Sequence, residues 1–195
     1  MSCARKTVSP GEWIETSDIA LRPLRLSDCT PAYLSWLRDP EVSFFLDTRW
    51  AEQTMTSIRR FVRETTARDD SHLLAIIKKS DRLHIGNLKI GPVHPVYDCA
   101  DLSYFIGDKK EWNKGYATQA IRLAVSLAFE TLDLHRLQAG VHEANPASAK
   151  ALERAGFRLE GRFRKQLRTT RKDTWQDHLW YGILREEWAC TREFP

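Results

Sequence analysis

The chain has 195 residues, enough for one well-buried core and too few for two generous ones, and 42% hydrophobic with 29% charged residues is ordinary globular composition, which excludes a disordered chain. Thirty Lys and Arg against 26 Asp and Glu leave a formal +4, too mild for a nucleic-acid binder yet compatible with attraction of a polyanionic small molecule. The scattered Cys3, Cys29, Cys99 and Cys190, without Cys-x-x-Cys spacing or a histidine cluster, predict reduced thiols and neither a disulfide framework nor a metal site.

Residues 1–17 show no periodicity and are expected to form a loose arm, with Trp13 and Ile14 able to dock on the body; residues 18–195 are expected to form one domain. Arg5, Lys6, Pro10 and Glu12 leave no room for a signal peptide, and no apolar run approaches the roughly 20 residues that span a bilayer, so a cytoplasmic protein without membrane insertion is expected. Ile19, Leu21, Leu24 and Leu26 predict a strand that Pro23 places at a sheet edge. Ser27 or Asp28 is the expected N-cap ahead of Pro31, and Tyr33, Leu34 and Leu37 form a helical stripe that Pro40 stops. A second helix is predicted over 51–68, with Met55, Ile58, Phe61 and Val62 on its inner side and Arg59, Arg60 and Arg63 outward.

From His72 the period changes. Runs 72–78, 83–90 and 99–106, separated by turn residues, predict an antiparallel meander. Helical spacing returns after Gly115 in Ala117, Ala120, Ile121, Ala124, Val125, Ala128 and Leu132. A strand over 137–141, a short helix over 147–155 closed by Gly156, and strands over 157–167 and 175–184 complete the chain. Periodicity alone predicts a mixed sheet with flanking helices.

The most informative segment is Trp112-Asn113-Lys114-Gly115-Tyr116-Ala117-Thr118, followed by Asn145-Pro146-Ala147-Ser148 and Ala155-Gly156-Phe157. A glycine admits close backbone approach, and the free N–H groups of a helix's first turn favour negative charge, so the segment reads as a phosphate-holding turn. It resembles the pyrophosphate-binding motif of the GNAT superfamily of acetyl-CoA-dependent N-acetyltransferases, Arg/Gln-x-x-Gly-x-Gly/Ala: Gly115 and Ala117 match, while Trp112 stands where Arg or Gln is common. That substitution, with the Gly-Tyr-Ala-Thr continuation, is similar to the RimJ/RimL-like branch, and the resemblance covers about residues 19–188.

The resemblance implies an α+β GNAT fold: a mixed, mostly antiparallel twisted sheet of about seven strands, helices on both faces, and a splay between strands 4 and 5 for the pantetheine arm. Acetyl-CoA is the implied acyl donor. Its diphosphate would be held by backbone N–H groups of 112–118 with the Lys114 ammonium and Thr118 hydroxyl, and its pantetheine arm by backbone groups of Tyr104, Phe105 and Ile106 and by Asn145. Asn145 is also a ready N-cap before Pro146. Ser148 matches a proton donor to the departing thiolate, and Leu152 occupies the place where many relatives carry a tyrosine. Asp101, fourteen residues before Gly115, resembles the general base of some family members, the alternatives being a structural carboxylate or a water relay.

Acceptor recognition is expected from Glu41, Phe44 and Arg49, with core or capping roles as the plain alternative and Phe45 read as core. His84 and His142 read as structural. The basic stretch Arg158, Arg162, Arg164, Lys165, Arg168, Arg171 and Lys172 reads either as a solvated hairpin or as a site for an anionic acceptor. The expected function is acetyl transfer by direct attack of a primary amine. A small amino sugar or nucleotide-linked amino sugar ranks above a ribosomal-protein N-terminus, because the segment 33–42 with Ile85-Gly86-Asn87 is similar to relatives of amino-sugar metabolism. A non-catalytic acyl-CoA-binding module is the alternative of another class; no nucleic-acid partner is expected, and a homodimer fits the family.

Overall fold

The computed structural model describes residues 13–169 and 174–192. In chain order these form β1 (Ile14–Glu15), β2 (Ile19–Pro23), α1 (Pro31–Arg38), α2 (Met55–Thr66), β3 (His72–Lys78), β4 (Leu83–Val93), β5 (Cys99–Ile106), α3 (Tyr116–Ser126), β6 (Arg136–His142), α4 (Pro146–Arg154), β7 (Arg158–Arg168), β8 (Trp175–Leu184) and α5 (Arg185–Arg192). Eight strands make one sheet in the order β1-β2-β3-β4-β5-β6-β8-β7. Every neighbouring pair is antiparallel except β5 and β6.

The eighth strand comes from the segment read as a loose arm. Ile14 pairs with Leu21 and Glu15 with Ala20, so the end of that arm is stitched to the sheet, while residues 1–12 lie outside the described residues. β2 is therefore flanked on both sides and not at an edge. Pro23 is tolerated because it is the last residue of β2, beyond the reach of β1, where its missing N–H removes no ladder bond.

The helices start where their caps dictate. α1 is capped by Thr30, whose side chain accepts from the Tyr33 N–H, with Pro31 in the first turn; Ser27 and Asp28 instead form a short turn in which the Asp28 carboxylate is held by Arg22 at 2.7 Å. α2 begins at Met55 because Thr54 and Ser57 satisfy each other's backbone N–H groups. Its inner face is Ile58, Val62 and Thr65, one stripe at steps of four and three; Phe61 falls off that stripe and is exposed.

The two faces of the sheet carry separate cores. On one side α3 and α4 pack Ala120, Ile121, Ala124, Val125, Ala151 and Leu152 against Leu88, Ile90, Leu102 and Leu137. On the other, α1 and α2 pack Tyr33, Trp36, Leu37, Ile58 and Val62 against Leu73, Ala75 and Ile77. The α1/α2 layer covers β2 to β4 and leaves the same face of β6, β8 and β7 open, as the exposed Gly140 at the centre of β6 shows.

The functional consequence of this topology lies between β5 and β6. Their parallel ladder joins only Cys99–Asp101 to Arg136–Gln138. Beyond it Leu102–Ile106 have no strand partner on that side among the described residues, so the strands diverge and backbone groups face a widening gap.

Candidate active site

At the mouth of this gap α3 begins. Gly115, its N-cap, has φ +81° and ψ 0° and supplies no side-chain cap, and a Cβ built on it meets no atom within 4 Å. The first intrahelical bond runs from the Gln119 N–H to the Gly115 carbonyl, so the N–H groups of Tyr116, Ala117 and Thr118 precede the ladder and point out of the helix end. A left-handed glycine with open space above it and three oriented amides is a donor set matched to a diphosphate.

The flanking side chains brace this turn. The indole N–H of half-buried Trp112 donates to the Ile106 carbonyl at 2.8 Å and its rings pack on the α1/α2 core, so Trp112 ties the turn to the end of β5 and does not reach outward. Lys114 donates to Glu111 at 2.9 Å, and the same buried carboxylate accepts from Lys78 at 2.7 Å. Those two cations, Lys78 first, hold the Glu111 carboxyl below its ordinary range.

Within the gap, two hydroxyls meet. Tyr104 of β5 lies 2.7 Å through its hydroxyl from the Ser148 Oγ of α4, and 3.2 Å from the Ser148 carbonyl. Ser148 is set there by the start of α4: Asn145 caps the helix by accepting from the Ser148 N–H at 3.2 Å, and Pro146 follows. Burial pushes the Tyr104 phenol up to about 12, so it stays protonated throughout the neutral range. The Tyr104–Ser148 pair escapes sequence reading because the alternation of β5 points Tyr104 toward α4 without saying what it meets. Leu152 is fully buried in the α3/α4 core.

Asp101 lies elsewhere. It sits on the opposite face of β5 from Tyr104, at the closed end of the gap, and its carboxylate accepts from the Gln138 side-chain amide at 2.8 Å. Asp101 and Ser148 are therefore not brought together.

The open face of β6, β8 and β7, with the loop between α1 and α2, makes a second wall. The Phe45 ring is 5.4 Å from His142 and at a right angle to Phe44, which is exposed. The Gln176 amide is 2.6 Å from His142 Nδ1, and His178 Nδ1 is 2.7 Å from Gln166 Oε1. The His178 ring occupies the space where a Cβ on Gly140 would stand. Burial first, then the Arg49 charge, push His142 down to about 4. Two buried polar atoms here, Arg49 Nε and Gln176 Oε1, have no partner among the described residues.

The three residues expected to meet an acceptor separate. Arg49 staples the loop to the hairpin, donating to the Phe44 and Arg168 carbonyls. Glu41 is exposed and pairs with Lys109 at 3.0 Å. Phe44 remains on the rim. Two residues of the basic stretch are ion-paired, Arg158 with Glu187 and Arg162 with Glu143, each at 2.8 Å, and the Arg168 guanidinium lies over the Trp175 ring; Arg171 and Lys172 lie outside the described residues. No helix among the described residues is long and apolar enough to cross a membrane.

Residues 18–158 match the model of the acetyltransferase (GNAT) domain. The chain is 35% identical over 126 residues to the Probable N-acetyltransferase YjcK of Bacillus subtilis (strain 168), covering 64% of this chain and 68% of that protein. Among solved structures, Mycobacterium smegmatis RimJ in complex with CoA-disulfide superposes with a TM-score of 0.74 at 26% identity, over 87% of this chain and 83% of that one. The Vibrio cholerae spermidine N-acetyltransferase in complex with CoA and spermine superposes with a TM-score of 0.78 over 89% and 99% of the two chains; at 18% identity this likeness concerns the fold.

Proposed function

The chain belongs to the acetyltransferase (GNAT) family, and from that premise we propose that it moves acetyl from acetyl-CoA to a primary amine of a small acceptor by direct attack, without a covalent enzyme intermediate. The observation that carries this is the meeting of the Tyr104 and Ser148 hydroxyls inside the gap, beside the uncapped first turn of α3. The reaction needs a held thioester, a neutral amine and a proton for the departing thiolate. The amides of Tyr116, Ala117 and Thr118 hold the diphosphate, with Asn113 and Gly115 shaping the turn and Lys114 adding charge. Those backbone groups among Tyr104, Phe105 and Ile106 that face the gap take the pantetheine amides, the Ile106 carbonyl being already engaged by the Trp112 indole N–H. Ser148 protonates the thiolate, and Tyr104 orients that hydroxyl.

For the acceptor we propose an amino sugar or nucleotide-linked amino sugar. The open wall supports this: side-chain amides and uncharged imidazoles interleaved with aromatic rings suit a hydroxylated ring better than a polycation. The likeness to RimJ favours a second reading, a protein N-terminus as acceptor, in a RimJ-like branch of the family. The two are separated by incubating the protein with acetyl-CoA and glucosamine, spermidine or a peptide with a free N-terminal alanine, and following release of free thiol. Fastest release with glucosamine supports the sugar; fastest release with the peptide replaces it. Absence of coenzyme A binding in a calorimetric titration would remove the whole reading.

A further inference from the structure

The proton that leaves the attacking amine needs a receiver on the side from which the amine arrives. Asp101 is the wrong distance along the gap. The β5–β6 register pairs Asp101 with Gln138, and carried forward along the two strands it sets Phe105 level with His142. Tyr104, and with it the Ser148 hydroxyl, stands one residue from that level. Asp101 is three residues deeper than Tyr104, roughly 10 Å at about 3.3 Å per residue. A thioester sulfur within reach of Ser148 is thus near the level of His142 and far from Asp101.

The faces agree with the levels. Leu137, Ala139 and Val141 of β6 pack in the α3/α4 core, so by alternation His142 projects to the opposite side, where it meets Phe45. The hydroxyl pair and the imidazole therefore flank one level of the gap from its two sides, as an acid for the leaving group and a base for the nucleophile must. His142 is also held. Its Nδ1 faces the Gln176 amide at 2.6 Å, and the Phe45 ring lies against it. Nε2 has no partner among the described residues and is not one of the buried unpartnered atoms, so it reaches solvent. Turning the Gln176 amide end for end would let its unpartnered Oε1 accept from Nδ1–H, which leaves the lone pair on Nε2.

Resting on the acetyl-transfer reading, we propose that His142 Nε2 receives the proton of the attacking amine, that Gln176 fixes its tautomer, and that Asp101 is a structural carboxylate. The amine nitrogen forms the C–N bond to give a tetrahedral adduct, whose C–S bond then breaks. Its proton passes to Nε2 and on to water, and the thiolate takes a proton from Ser148, which recovers one from water. The groups facing the ring are Asp47 and Arg49 from the loop before α2 and His178 from β8. Burial, Arg49 and His178 favour the neutral imidazole and outweigh Asp47, so the lone pair is available at neutral pH. The proton is lost from the ammonium of the tetrahedral adduct, a stronger acid than a free alkylammonium.

The test replaces His142 by Ala and Asp101 by Asn, using whichever of glucosamine, spermidine and the alanyl peptide turns over fastest. H142A should lose about 10²-fold in kcat with coenzyme A affinity unchanged, and D101N should stay within about threefold. Added imidazoles of graded basicity should restore H142A in order of their pKa; rescue indifferent to basicity, or a larger loss in D101N, overturns the proposal. Histidine ¹⁵N spectra of the wild-type protein with coenzyme A need no acceptor. A neutral His142 carrying its proton on Nδ1, lost in Q176L, supports the proposal, and a proton on Nε2 overturns it even where no tested amine reacts. Failure of coenzyme A to bind would instead break the reading of function.

Discussion

The chemistry proposed for this site rests on two oxygen atoms 2.7 Å apart, and the unequal roles proposed for them set what each substitution should do. Ser148 sits in the first turn of α4, where Asn145 holds its backbone and Tyr104 its hydroxyl. On the proposed mechanism, removing the Ser148 hydroxyl takes away the thiolate's proton donor and leaves the proposed diphosphate turn untouched. Ser148→Ala should therefore lower kcat by about 10²-fold while coenzyme A affinity, read by calorimetry, stays the same. Equal loss in both would make Ser148 a binding group. Tyr104→Phe removes only the orienting hydroxyl and should cost less in kcat, about tenfold. With its phenol up at about 12, Tyr104 should add no limb to the pH–rate profile below about pH 10. At this scale the sequence was partly legible. Ser148 and Asn145 follow from local helix-start chemistry, whereas the Tyr104–Ser148 and His142–Gln176 contacts join residues 44 and 34 positions apart, and nothing local announces them.

At the scale of elements, the proposed diphosphate turn is a helix start whose own cap is left vacant. Gly115 adopts the left-handed region with empty space where a side chain would stand, so the demand for glycine comes from the backbone angle and not from crowding. Gly115→Ala should thus fold with a stability loss of about 1–2 kcal/mol, read by urea unfolding, and weaken coenzyme A as the turn relaxes toward negative φ. Unchanged affinity would place the diphosphate elsewhere. Trp112→Phe keeps a ring in the core but deletes the bond to the Ile106 carbonyl, at a cost of about 1 kcal/mol. Because that bond ties the turn to β5, the variant should also bind coenzyme A severalfold more weakly; an effect on stability alone would make Trp112 merely a core residue. Helix ends were legible where a cap lay next to the stripe, as with Pro146 after Asn145. They were missed at α2, where the capping pair Thr54 and Ser57 starts the helix four residues after the expected 51.

For the whole molecule, strand order is what puts the two proposed chemistries on two sides of one gap. Alternation and turn residues identify the strands, but only tertiary pairing shows that a two-residue strand from the expected arm covers β2 and that β5 and β6 part after Asp101. The same packing buries imidazoles in both layers: His72, His84, His142 and His178 all have their pKa lowered, in each case first by burial. A folded pKa below the unfolded value means that the unfolded chain binds more protons between the two, so stability rises with pH through that window and falls as the solution is acidified. For His142 the window runs from the ordinary 6.5 down to about 4 and contributes about 3 kcal/mol. Asp28 acts lower on the scale: burial raises its carboxyl, but the Arg22 guanidinium and the Arg25 N–H together outweigh that and hold it below 3.8. The melting temperature, followed by circular dichroism, should therefore decline from just below pH 6.5, before the carboxylates titrate, and His142→Gln should flatten part of that first decline. A wild-type melting temperature constant from pH 7 to pH 4.5 would mean that these imidazoles are not held neutral by the fold.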